Sequence, residues 1–157
     1  MTIASRTPVR FVERTTEQNY VEISTGSAFL SSVGCVGGRQ TLTLCNKIEY
    51  VQTVVHELLH TCGLHHEHSR VDRDLYLNIH YDNIKEEHVY NYDIKDIDPV
   101  RRAFDYNSVM LYGPTIFSAN GRPTISSRIN GVRLLHTYEK PLISDGDVEL
   151  VCKLYSN

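Results

Sequence analysis

The sequence predicts a single α+β domain, and three observations support this prediction. Short stretches in the first third of the chain alternate apolar and polar residues, as strands with one buried face do. A longer stretch in the middle repeats apolar residues every three or four positions, which is typical of an amphipathic helix. A capping motif near the end opens a second helix, and a chain of 157 residues has the length of one domain.

Three alternating segments predict β-strands, at residues 9–12, 20–24 and 40–44. A glycine-rich stretch at 34–38 breaks the chain between the second strand and the third. The third strand lies just before the central helix in sequence, and one hypothesis makes it an edge strand to which an extended peptide could add. An ordinary structural strand is the alternative.

Two segments predict amphipathic helices, the first at residues 49–64 and the second after Ser144. The apolar stripe of the first helix consists of Val51, Val54, Val55, Leu58, Leu59 and Cys62. Cys62 lies on this stripe, so we interpret it as a small buried hydrophobe. Ser144 and Asp147 have the spacing of a capping box. The apolar face of the second helix is predicted to consist of Val148, Val151, Cys152 and Tyr155.

The segments between these helices are less regular. Residues 81–92 predict a further helix, whereas residues 95–102 are polar, contain Pro99 and predict a loop. Gly-Pro at 113–114 and Asn-Gly-Arg-Pro at 120–123 are turn signals. The sequence therefore predicts most of its regular structure in the first half and at the carboxyl end.

Composition excludes several classes of protein. The net charge of −3 gives no reason to expect a nucleic-acid partner. The sequence contains no run of 18 apolar residues, so it predicts no membrane span. The first residues lack the apolar core of a signal peptide. Four cysteines allow three complete pairings, and reduced thiols fit the sequence equally well. Nothing in the sequence fixes the oligomeric state.

The segment His56-Glu57-Leu58-Leu59-His60-Thr61-Cys62-Gly63-Leu64-His65-His66 has the spacing of a metal site. On a helix, His56 and His60 point the same way because they are four residues apart. Gly63 can adopt positive φ, end the helix and bring His66 back as a third ligand. Three protein ligands leave a zinc coordination position open for water, and Glu57 lies next to the first ligand. This spacing predicts a catalytic zinc site.

Two neighbouring histidines do not fit this spacing. His65 and His68 flank the motif, and we interpret both as bystanders. A lone histidine is usually a surface residue or a hydrogen-bonded core residue, so an accidental motif in a protein without metal is one alternative. The coherent chemistry of the three spaced histidines with the glutamate and the glycine favours the metal site.

Residues 56–74 resemble the astacin family of zinc metalloproteases, whose pattern HExxHxxGxxHExxRxDRD matches at every fixed position. Ser-Val-Met-Leu-Tyr at 108–112 resembles the SxMxY Met-turn of that family, in which Met110 would form a hydrophobic floor beneath the metal. Weaker matches extend over most of the chain, in family order.

This resemblance implies a zinc metalloendopeptidase that hydrolyses protein or peptide substrates, with one Zn²⁺ per chain. His56, His60 and His66 would bind the metal. Glu57 would be the general base and then the acid. Tyr112 would be an additional, movable ligand that swings away to donate a hydrogen bond to the tetrahedral intermediate.

The fold that the resemblance implies is a zincin-like catalytic domain of the metzincin type. Its upper lobe, at about 1–66, would hold a twisted sheet and the active-site helix. Its irregular lower lobe, at about 67–157, would end in the carboxyl-terminal helix. A deep cleft would separate the two lobes, and residues 1–157 would form one peptidase domain.

The sequence also departs from the family. Its amino-terminal region is shorter than the family's, so Glu67 is expected to lack its usual partner, the amino terminus of the mature enzyme. One interpretation of the chain is therefore an amino-terminally truncated peptidase domain. The alternative to an active peptidase is a zinc-binding but catalytically impaired fragment, or a non-enzymatic interaction domain. The family resemblance implies an extracellular, secreted location.

Overall fold

The computed structural model describes residues 3–95 and 102–155 of the 157. The helices and strands of these residues are α1 (Ile3–Arg6), β1 (Tyr20–Gly26), β2 (Leu30–Ser31), β3 (Arg39–Cys45), α2 (Val51–Thr61), β4 (Leu77–Ile79), β5 (Ile125–Ser127) and α3 (Asp145–Tyr155). In the first sheet, β1 pairs parallel to β3, and β2 pairs antiparallel to the other side of β3. A second, antiparallel sheet joins β4 to β5. The domain is α+β, as predicted.

Two of the three predicted strands are confirmed, and their pairing corrects one hypothesis. The segments at 20–24 and 40–44 lie in β1 and β3. The segment at 9–12 forms no strand, and Val12 is 78% exposed. Alternation yields a strand only where another strand pairs with the backbone, and no described strand pairs with this segment. The edge-strand hypothesis for 40–44 is wrong because β3 is the central strand and β2 occupies the edge.

The predicted helix at 49–64 is α2, which spans Val51–Thr61. Gly63 has a φ of 99°, a conformation that residues with a side chain rarely adopt, and it turns the chain out of the helix as predicted. Cys62 is buried, and burial raises the pKa of its thiol to about 11. The core beneath α2 consists of Ile3, Leu59, Cys62, Leu64, Val109, Met110, Ile143, Leu150 and Val151.

The predicted helix at 81–92 is instead two 3₁₀ helices, Tyr81–Asn83 and Glu86–Tyr92. They are interrupted where the backbone N–H of Lys85 donates to the carbonyl of Phe117 at 2.9 Å. This long-range bond takes the place of a bond within a helix. A second core packs beneath this region and consists of Leu77, Ile84, Tyr92, Phe104, Leu111, Ile125 and Leu134.

The carboxyl-terminal helix α3 begins as the capping motif predicts. The Ser144 hydroxyl accepts from the Asp147 N–H at 3.0 Å, and the Asp147 carboxylate accepts from the Ser144 N–H at 3.2 Å. The predicted apolar face is only partly right. Val151 is buried, whereas Tyr155 is half exposed and Leu150 is buried in its place.

The loop and turn predictions have two outcomes. Most of the loop predicted at 95–102 lies at 96–101, outside the described residues. The turn at 120–123 is confirmed, and Gly121 has a φ of 76° there. Cys35, Cys45, Cys62 and Cys152 are all free thiols.

The first core crosses the predicted boundary between lobes, because Leu59 and Met110 pack together in it. The boundary at residue 66 and the single-domain assignment remain predictions. Among the described helices, none has the length and apolar character needed to cross a bilayer.

Candidate metal centre

Three histidine rings converge at the end of α2. The Nε2 atom of His66 lies 3.1 Å from the Nε2 atoms of both His56 and His60. His56 and His60 are one helical turn apart on α2, and the turn at Gly63 returns the chain to place His66 against them. The structure therefore brings together all three residues that the sequence predicts as ligands.

Hydrogen bonds to the outer nitrogens fix the tautomers of two of these rings. Nδ1 of His56 lies 2.9 Å from the carbonyl oxygen of Val109, and Nδ1 of His60 lies 2.7 Å from that of Leu64. A carbonyl oxygen only accepts, so each Nδ1 carries the proton. The Nε2 atom of each of these two rings is therefore unprotonated, and its lone pair faces His66.

Burial keeps these rings neutral. It lowers the pKa of His56 to about 3 and that of His60 to about 4, and it lowers the pKa of His66 well below its usual value. Neutral imidazoles with converging lone pairs repel one another unless a cation lies between them. Zinc binds imidazole nitrogens at about 2.0–2.1 Å, which separates tetrahedral ligands by about 3.3 Å. The donor set and its spacing therefore fit a zinc ion.

Glu57 is buried beside this cluster, directly after His56. Desolvation raises the pKa of its carboxyl group to about 7. A carboxyl group with this pKa both accepts and releases a proton near neutral pH, which is the property that general acid–base chemistry needs.

The rings of Tyr112 and His68 pack against the cluster. The ring centroid of Tyr112 lies 4.8 Å from that of His66 and 3.9 Å from that of His68. His68 is completely buried and stacks on His66 at 4.9 Å. The structure leaves His68 outside the three-histidine cluster, so its interpretation as a bystander to the metal stays a prediction, but its ring contacts both His66 and Tyr112. No spacing rule in the sequence singled it out, whereas its contacts do.

Met110 lies in the core beneath the cluster, and its carbonyl accepts from the N–H of Glu67 at 3.0 Å. The turn at 108–112 is held from α3, where the buried carboxylate of Asp147 accepts from the Ser108 hydroxyl at 2.6 Å and from the Val109 N–H at 3.3 Å. The capping motif identifies Asp147 only as a helix cap, and no signal in the sequence indicates its contact with the turn at 108–112.

Glu67 has buried partners among the described residues, and the expectation that it lacks the amino terminus of the mature enzyme as a partner stays a prediction. Its carboxylate forms buried ion pairs with Arg70 at 3.0 Å and Arg102 at 2.5 Å, and it accepts from the Asp105 N–H at 2.8 Å. A buried carboxylate needs such compensation. The two guanidinium groups provide it from within the described residues.

Comparisons with known proteins agree with this geometry. The family model described as Astacin, a family of peptidases, matches residues 1–156. The chain is 35% identical over 156 residues to a protein named low choriolytic enzyme from Oryzias latipes, covering 97% of this chain and 56% of that protein. It is 39% identical over 158 residues to zinc metalloproteinase nas-14 of Caenorhabditis elegans, covering 96% of this chain and 31% of that protein.

The fold is similar to a solved structure, high choriolytic enzyme 1, a hatching enzyme zinc-protease from Oryzias latipes. The TM-score is 0.90 at 32% sequence identity, over 98% of this chain and 77% of that chain. The present chain thus spans about half or less of the two curated relatives named above, and most of the chain in that solved structure.

Proposed function

Because this chain belongs to the astacin family of peptidases, we propose that it is a zinc-dependent endopeptidase that hydrolyses peptide bonds in protein or peptide substrates. One observation carries this proposal. The Nε2 atoms of His56, His60 and His66 converge beside a buried carboxyl group whose pKa is raised to about 7. This combination suits metal-assisted hydrolysis.

The metal contributes one part of the proposed chemistry. Zinc held by the three imidazoles supplies a Lewis acid and lowers the pKa of bound water to roughly 7. Glu57 takes the proton of the attacking water on its carboxylate and later delivers it to the nitrogen of the departing amine. The raised pKa of Glu57 supports both halves of this proton transfer.

Tyr112 has the complementary role in this proposal. Burial raises the pKa of its phenol, with the nearby Tyr92 and Glu57 adding to the effect, so the hydroxyl stays protonated at neutral pH. A protonated phenol donates a hydrogen bond to the substrate oxygen that gains negative charge. The stack on His68 holds the Tyr112 ring beside the histidine cluster.

The test combines metal analysis with one substitution. We expect the purified chain to bind one zinc per molecule and to cleave a protein substrate such as casein. Glu57→Gln should lower the cleavage rate by about 10²–10⁴-fold and leave the zinc content unchanged. Stoichiometric zinc without cleavage that depends on Glu57 would replace the peptidase with a zinc-binding domain. Absence of zinc would overturn both.

An extracellular location is part of the proposal, and membership of the family supports it. Cells that express the natural coding region should release the protein into the medium. Retention of all the protein inside the cells would contradict this part alone and leave the proposed chemistry intact.

A further inference from the structure

Lys140 is an ammonium group in the interior of the protein. The residue is only 3% exposed, whereas lysines are almost never fully buried unless they are paired. Its Nζ atom donates to the carbonyl of Ser108 at 3.0 Å and to the carbonyl of Leu111 at 2.5 Å. Among the described residues, no carboxylate lies within 4 Å of this Nζ. The charge is therefore directed at two backbone carbonyls of one turn.

That turn contacts the metal centre at both of its ends. The carbonyl of Val109, next to Ser108, accepts from Nδ1 of His56 at 2.9 Å. Leu111 directly precedes Tyr112, whose ring packs against His66. A shift of the turn would therefore change the orientation of the His56 ring and the position of Tyr112 together.

The backbone around Lys140 is tied to the zinc helix. Nε2 of Gln52 donates to the carbonyl of Tyr138 at 3.2 Å and to the carbonyl of Lys140 at 3.3 Å. Gln52 lies on α2 one turn before His56. Lys140 therefore contacts the turn through its side chain and the helix through its main chain.

We infer that Lys140 is a positioning residue that sets the turn at 108–112 against α2, and thereby orients His56 and Tyr112 at the metal centre. The inference rests on the proposed function for its catalytic consequences, but its effect on metal affinity does not need catalysis. A partner that orients a metal-binding histidine typically changes metal affinity or activity by about 10–100-fold.

The test compares Lys140→Met with Lys153→Met, which removes a lysine from the exposed face of α3. Lys140→Met should weaken zinc binding by about tenfold or more, measured by competition with a chromophoric chelator. It should also lower kcat per bound zinc by about tenfold and leave KM within about twofold. Lys153→Met should leave all three quantities within about twofold of the original protein.

Two further variants separate positioning from a general loss of folding. Lys140→Arg keeps a cation with hydrogen-bond donors, so it should recover part of the lost zinc affinity. Gln52→Ala removes the tie to α2 at a partly exposed side chain, and it should weaken zinc binding in the same direction even where Lys140→Met does not fold. Circular dichroism of each metal-free variant reports whether it is folded.

The outcomes are distinct. If Lys140→Met is folded and binds zinc within twofold of the original protein, the inference is overturned. If that variant does not fold, unchanged zinc affinity in Gln52→Ala overturns it. If the original protein binds zinc but cleaves no substrate, the proposed peptidase function is wrong. The zinc affinity of Lys140→Met relative to the original protein then still decides the role of Lys140. A chain that binds no zinc overturns both.

Discussion

The segment at 56–66 and the turn at 108–112 both border the metal centre, but different forces place them. The three histidines of the segment lie within 11 consecutive residues, and one helical turn and one glycine bring them together. The turn is held by Lys140 and Asp147, which lie about 30 to 40 residues further along the chain. The metal ligands are thus a local property of the chain, whereas their surroundings depend on long-range contacts between buried polar groups.

The largest expected effect is a loss of stability in acid. The buried histidines and the turn at 108–112 should contribute to this loss with opposite signs. Burial lowers the pKa of His68 to about 3, and it lowers the pKa values of the three metal-binding histidines as well. Below pH 6.5 these histidines bind protons in the unfolded chain but stay neutral in the folded chain. The free energy of unfolding therefore falls as pH falls. Each histidine contributes about 1.4 kcal/mol per pH unit in this range. The four histidines together should lose about 5 kcal/mol between pH 6 and pH 5, and the raised pKa of Glu57 should offset about 1 kcal/mol of this loss. Urea unfolding of the chelator-treated protein should therefore show a net loss of about 4 kcal/mol over this range.

The turn should respond to acid with the opposite sign. Desolvation raises the pKa of Asp147 above its usual value of 3.8. The folded state therefore holds this proton more tightly than the unfolded state does, and the proton-linked part of the contribution of Asp147 to stability is lost as pH rises through its folded pKa. The hydrogen bonds that its carboxylate accepts from the turn persist at higher pH. Asp147→Ala should make the loss of stability with acid steeper. A shallower loss would contradict the assignment of this opposing effect to the turn.

Tyr112→Phe is the next largest effect and tests the turn at its contact with substrate. Loss of one hydrogen bond to the charged oxygen should lower kcat by about 10²-fold. The zinc content should not change, because the three histidines are positioned without the phenol. Steady-state kinetics and metal analysis on the same preparation measure both quantities. An equal loss of zinc and of activity would make Tyr112 a structural part of the metal site.

Asp147→Ala should lower the free energy of unfolding of the metal-free protein by about 2 kcal/mol. It leaves three donors of the turn and of the helix cap without their acceptor, and each unsatisfied buried donor costs about 1–3 kcal/mol. Removal of the desolvated carboxylate offsets part of this cost, so the net loss is smaller than the sum. The matched control is Asp145→Ala, because Asp145 is fully exposed at the same end of α3 and its loss should have a clearly smaller effect. Urea unfolding at pH 8 measures both variants. Equal effects would mean that helix capping alone explains the result.

His68→Gln is the smallest expected effect and tests the contact between the two regions. Glutamine can still donate to the Asn91 carbonyl, which His68 approaches at 3.1 Å, but it cannot stack on Tyr112. Loss of one aromatic pair is worth about 0.5–1.5 kcal/mol, so kcat should fall about threefold to tenfold. The acid dependence of unfolding should also become shallower by about one proton. If neither quantity changes, His68 is the bystander that sequence spacing suggested.

Much of the regular structure could be predicted from the sequence. Alternation located β1 and β3, the apolar period located α2, and the Ser144 cap located the start of α3. The errors fall where a prediction needed a partner. Residues 9–12 alternate but have no described strand beside them, and β3 is central because β2 returns to pair with it.

The candidate site divides in the same way. Motif spacing identified His56, His60, His66 and Glu57, and the family resemblance added Met110 and Tyr112. Neither signal identified His68, whose significance is its stack on Tyr112, or the ion pairs that satisfy Glu67. Spacing along a chain carries no information about which distant side chain will meet a buried charge.

The sequence by itself determined the metal-binding segment, because backbone geometry over a few residues fixes where side chains four apart on a helix point and where a glycine allows the chain to turn. Only the tertiary structure decided how that segment is supported. Lys140 and Asp147 reach the turn at 108–112 across the folded chain, and Arg102 reaches Glu67 in the same way. Buried polar groups must find partners, and folding alone determines which residues are near enough to serve.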